Sequence, residues 1–96
     1  MPVYRLEPVR GAEGHHYWQA SIVPPVTVWV EALSPGHARL RMQSASSATP
    51  GAKPNPWTDS ALVRCIEDAS KHVPPNTALF ANGQVTLKLE DAVGQV

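Results

Sequence analysis

The chain is predicted to fold as a small α+β domain, a mostly antiparallel sheet with one helix on one face. The expected order is β-β-β-α-β followed by a C-terminal hairpin-like tail. Three observations predict it. Residues 26–33, VTVWVEAL, alternate Val26, Val28, Val30 and Ala32 against Thr27, Trp29, Glu31 and Leu33, which gives a strand one apolar face and one mixed face. Ser34-Pro35 follows at once, a favoured N-cap with proline at the first helical position. Near the end, Asn82-Gly83 is a strong hairpin dipeptide between TALF and QVTLKLE.

In chain order, residues 3–9 alternate as a first strand with Tyr4 and Leu6 inward. Pro8 has no amide donor, so this strand should end there or lie at an edge. Residues 11–14 form a turn, and residues 15–22 read as a short second strand stopped by Pro24-Pro25. After the central strand, residues 34–46 place Ala38, Met42 and Ala45 on one helical stripe with Arg39 and Gln43 outside. The same residues also alternate as a strand; the Ser-Pro start and the helix propensities select the helix. Residues 44–56, SASSATPGAKPNP, read as a flexible Pro-rich loop. Residues 59–72 carry a helical stripe of Leu62, Cys65, Ile66 and Ala69. A strand over 62–67, with Val63 and Cys65 inward, is the competing reading. The tail at 85–90 should be extended, and residues 91–96 should fray.

Several tracts occur together in a telling order: MPVYRL at the start, YWQAS at 17–21, VWVEALS at 28–34 with HAR at 37–39, and PNPW at 54–57 with LVRC at 62–65. In these the chain resembles a group of small, uncharacterised bacterial proteins of about this length. The likeness spans about residues 1–68. It carries no activity and gives no residue a role. It implies that the segment after Pro-Trp is extended, which selects the strand over the helix for that stretch.

Ninety-six residues suffice for one domain with one modest core, and 1–96 is read as a single domain. Charged residues are only 17 % of the chain, and eight basic side chains cancel eight acidic ones. That balance argues against duplex nucleic acid, although Arg5, Arg10, Arg39, Arg41 and Arg64 invite the idea of a basic patch. It suggests limited solubility, or a surface that something else covers. No apolar run reaches the ~20 residues of a membrane span, no basic-then-apolar signal pattern is present, and Cys65 is a lone cysteine. A cytoplasmic protein with no membrane association is expected.

No metal or cofactor is expected. His15-His16 should point to opposite faces of an extended chain, and His37, His72 and the single thiol show no ligand spacing. Cys65 reads as a core residue. No Gly-x-Ser-x-Gly elbow or phosphate loop exists, so no catalytic residue is assigned. The candidate partner-binding residues are Trp18, Trp29, Trp57, Arg39 and Arg41, because tryptophan and arginine are enriched at binding hot spots. Trp29 is the most informative, having opposite parity to the core valines of its strand. Three function classes follow. The first is a non-enzymatic protein-binding module or adaptor, with a protein partner and a homo-oligomer left open. The second is a phage or mobile-element inhibitor of bacterial defence, of the anti-CRISPR type. The third is a small enzyme or ligand-binding protein.

Overall fold

The computed structural model describes residues 1–47, 55–81 and 86–89. One antiparallel sheet and one helix make the α+β architecture. The strands are β1 (Val3–Pro8), β2 (Val28–Glu31), β3 (Val63–Glu67), β4 (Thr77–Phe80) and β5 (Thr86–Lys88), and the helix is α1 (Pro35–Ser46). The spatial order is β3-β1-β2-β4, with the short β5 added beside β4. The predicted tail hairpin is therefore β4 and β5, built into the sheet rather than appended to it. Its turn at Asn82-Gly83, and residues 91–96, lie outside the described residues.

Registers Tyr4↔Val30, Leu6↔Val28, Leu6↔Cys65 and Val28↔Phe80 put these side chains on one face. Tyr4, Leu6, Val28, Val30, Val63, Ala78 and Phe80 are buried there, and Ala38 and Met42 of α1 pack onto them in one cluster. The central strand and its helix thus obey the periodicities that predicted them. The Ser34 hydroxyl accepts the His37 amide at 3.1 Å, satisfying one of the free donors at the start of α1. β1 is an interior strand, and Pro8 is tolerated because pairing with β2 stops at Leu6↔Val28, short of where its missing amide would be needed.

Two segments depart from expectation. Residues 15–22 are not a strand: His16–Ala20 is a 3-10 helix, and only Ser21 makes a bridge, to Ser47. The local bonds Trp18 N–H to His15 O and Ser21 N–H to Trp18 O satisfy the backbone within the turn, with no partner strand needed. This turn also drives Trp18 into the core. It brings the rings of His15 and His16 to a stacked 4.4 Å, where an extended chain would have set them on opposite faces. The described parts of the stretch predicted as a Pro-rich loop are ordered differently: 44–46 complete α1, and Asn55, Pro56 and Trp57 are buried; residues 48–54 lie outside the described residues. The stretch at 63–67 is a strand, as read, because β1 offers it a full ladder from Tyr4↔Glu67 to Pro8↔Val63.

Candidate functional site

The helix and both tryptophan-bearing 3-10 turns pack on the inner face of the sheet. The outer face is built by the other parity of each strand: Val3, Arg5 and Glu7 of β1, Trp29 and Glu31 of β2, Arg64 and Ile66 of β3, Leu79 of β4. Register places Ile66, Arg5, Trp29 and Leu79 in one row across four strands, all half-buried. Trp29 stands near its middle.

What lies over Trp29 is the segment that follows β3. Its indole Nε1 donates to Asp68 Oδ2 at 3.1 Å, and Lys71 Nζ sits 4.3 Å from the ring centroid, within cation–π range. Arg5 Nη1 also reaches Asp68 Oδ2 at 3.5 Å, while the Ser70 hydroxyl donates to Asp68 Oδ1 at 2.7 Å. Asp68 therefore latches the turn after β3 onto the face. Three further charges close on one another: Arg5 Nε lies 3.3 Å from Glu7, and Arg64 Nη1 lies 3.7 Å from the same carboxylate. Exposed pairs of this kind contribute little stability. Their consequence is a face whose charges are locally neutralised around an aromatic and aliphatic row.

The Ser70 hydroxyl, and next the Trp29 indole, hold the Asp68 carboxyl below the usual carboxylate range; the Ser70 amide and Arg5 act in the same direction and burial opposes them. A carboxyl lowered in the folded state contributes stability that is complete above its unfolded value of ~3.9 and is lost as pH falls below it. The Trp29 indole N–H resonance should hold steady from pH 7 down to about 4.5 and shift only in more acid solution. Asp68→Asn should remove that transition. A transition of the same resonance centred above pH ~4.5 would contradict the latch.

The structure separates the five candidate residues. Trp29 lies on the outer face. Trp18 and Trp57 are core residues in edge-to-face contact at 5.2 Å, and Trp18 Nε1 donates to Ala12 O at 3.1 Å. Arg41 is buried, bonded to Glu31 O at 2.7 Å and Asn76 Oδ1 at 2.8 Å. Arg39 is half-buried and donates to Trp57 O at 3.2 Å. Trp18, Trp57 and Arg41 thus offer no surface to a partner in this fold. Arg5, named only in the idea of a basic patch, Asp68 and Lys71 are not among the residues the sequence singles out for partner binding. Arg5 had a signal in its parity on β1; Asp68 had none, because only tertiary folding brings it to Trp29.

Cys65 is half-buried and packed against the core, with Sγ 3.8 Å from Pro35 O; burial pushes its thiol up, away from a reactive thiolate. Among the described residues no three histidine, cysteine or acidic side chains converge as metal ligands, and no helix is long and apolar enough to cross a membrane. No protein family, curated protein or solved structure matches the chain.

Proposed function

We propose that the chain is a non-enzymatic protein-binding module that meets its partner with the outer face of its sheet. One observation carries this reading: among the described residues the helix and the 3-10 turns layer the inner side of the sheet, and the outer side presents the half-buried row Ile66, Arg5, Trp29 and Leu79, with only Asp68 and Lys71 reaching over Trp29. A row with an aromatic centre and neutralised charges has the make-up of an interface core, in which charge is depleted and tryptophan and arginine are favoured. The zero net charge of the whole chain fits a surface that is covered in use. Cys65, packed against the core with its thiol pushed up by burial, fits a non-catalytic reading.

The test is affinity capture with the wild-type chain and with Leu79→Lys. Leu79 is half-buried beside Trp29, and a lysine stem can cover the same apolar surface while its ammonium reaches water, so the fold should survive. The reading predicts that one protein captured stoichiometrically by the wild type is lost at least tenfold with Leu79→Lys, at an unchanged circular dichroism spectrum. Equal capture by the folded variant would exclude this face. A CRISPR effector or nuclease as the face-dependent partner would assign the module to inhibition of bacterial defence.

A further inference from the structure

β3 is the outermost strand on its side of the sheet, and hydrogen-bond phase decides which of its backbone groups are free. In an antiparallel pair the N–H and C=O of one residue point to the same side, and the side alternates along the strand. Asp68 N–H donates to Val3 O at 2.8 Å and Val9 N–H donates to Leu62 O at 2.9 Å. Residues 62, 64, 66 and 68 therefore face β1, and Val63, Cys65 and Glu67 face away from it. The Val63 amide is taken by Asp59 O at 3.0 Å. Among the described residues, the N–H and C=O of Cys65 and of Glu67 have no backbone partner on that side.

We propose that β3 pairs edge to edge with β3 of a second copy of this chain, antiparallel, about a two-fold axis passing beside Ile66. Outward-facing residues must meet outward-facing residues, which leaves the two-fold registers centred on each position from 63 to 67. Those centred on 63 and 64 pair Val63 directly, and its amide is already engaged. Setting Glu67 opposite its own copy places like charges face to face, which is unfavourable. Setting Cys65 opposite its own copy calls on Val63, whose amide is already engaged. The register centred on Ile66 sets Cys65 opposite Glu67 of the second copy on both sides of the axis, and all four free groups of each edge are paired. On the outer face it sets Ile66 against Ile66 of the second copy. It also sets Arg64, exposed and held among the described residues by a 3.7 Å contact to Glu7, opposite Asp68 of the second copy. The edge is thus complementary to itself in donors, in charge and in its apolar residue. The product is one continuous sheet carrying two copies of the outer face on the same side. Free strand edges are otherwise left as sites for uncontrolled pairing.

The contact is small and belongs with weak interfaces, so association should be read by sedimentation equilibrium of the full chain from about 50 µM to 1 mM. A monomer–dimer equilibrium is expected in that range. Glu67→Pro withdraws an outward donor that β1 does not use, at an edge position where proline is tolerated. It should weaken dimerisation at least tenfold with the circular dichroism spectrum retained. Independently of that variant, Ile66→Cys in a Cys65→Ser background should give a covalent dimer with oxidised glutathione, since directly opposed residues of a non-hydrogen-bonded pair lie within disulfide reach. Arg64→Cys in the same background should cross-link poorly. A monomer at all concentrations, a dimer untouched by a folded Glu67→Pro variant, or equal cross-linking at positions 64 and 66 would overturn the proposal. Leu79 is remote from this edge in the sheet order, so loss of partner capture with Leu79→Lys and loss of dimerisation are separable results.

Discussion

Replacing Trp57 by Ala should lower the melting temperature by about 12–40 °C, followed by circular dichroism on the full chain. Trp57 is completely buried and has the largest side chain of the fully buried set. Asn55 Oδ1 accepts its backbone amide at 2.9 Å, its Nε1 donates to Ser21 Oγ at 3.0 Å, its carbonyl accepts from Arg39, and its ring meets Trp18 edge to face. It therefore joins the 3-10 turn of residues 16–20, the helix and the segment entering β3. Truncating a buried aromatic to Ala costs about 3–5 kcal/mol. That is a large share of the ~5–15 kcal/mol available to a domain of this kind, and each kcal/mol moves the midpoint by about 4–8 °C at this size. Trp57→Phe should lose far less, because Ser21 Oγ keeps its contacts with Val23 N and Val23 O, both at 3.1 Å. A drop under about 5 °C for Trp57→Ala would mean that the ring does not hold these segments together.

The contrast among the three tryptophans shows what could be read in the sequence. Trp29 was placed on the second face by parity alone, because Val28 and Val30 fix the inner one and alternation is rigid. Trp18 and Trp57 sit in segments with no period, where a proline-bounded turn decides burial. No local pattern says that Asn55 and Ser21 will take the amide and indole donors of Trp57. The same limit explains residues 59–72. Their helical stripe is real, but β3 gains its ladder from β1, more than fifty residues earlier, and non-local pairing outweighs local periodicity. In α1 the stripe of Ala38, Met42 and Ala45 is legible in the sequence, whereas Arg41 on the same side stands among the partner-binding candidates. A charged residue signals exposure, and only the acceptors supplied by β2 and by Asn76 reverse it.

That reversal yields the second large effect. Arg41 is buried with its guanidinium bonded to two neutral acceptors, Glu31 O at 2.7 Å and Asn76 Oδ1 at 2.8 Å; its Nε is buried without a hydrogen bond. Among the described residues no carboxylate is within ion-pair distance of it. Asn76 adopts a φ of 57°, a left-handed conformation that asparagine tolerates better than most side chains, and its carbonyl accepts from Leu89 N–H at 2.8 Å. Arg41 thus ties α1 to the end of β2 and to the turn that launches β4. Arg41→Ala should cost about 3 kcal/mol, through the void left by the stem and the loss of both directed bonds. Arg41→Met should recover at least half of that loss. Its thioether refills the stem volume, and it removes a buried charge whose desolvation offsets much of what its bonds contribute. Asn76→Gly keeps the backbone conformation and deletes only the acceptor. Combined with Arg41→Met in a double-mutant cycle, it should show a coupling of about 1 kcal/mol, measured by urea unfolding. Strictly additive effects would mean that the 2.8 Å bond contributes nothing. Arg41→Lys decides between charge and geometry. Lysine keeps the charge but cannot span both acceptors with a planar fork, so it should be no more stable than Arg41→Met. If lysine restored full stability, the positive charge itself, rather than the two directed bonds, would be what the fold requires at this position.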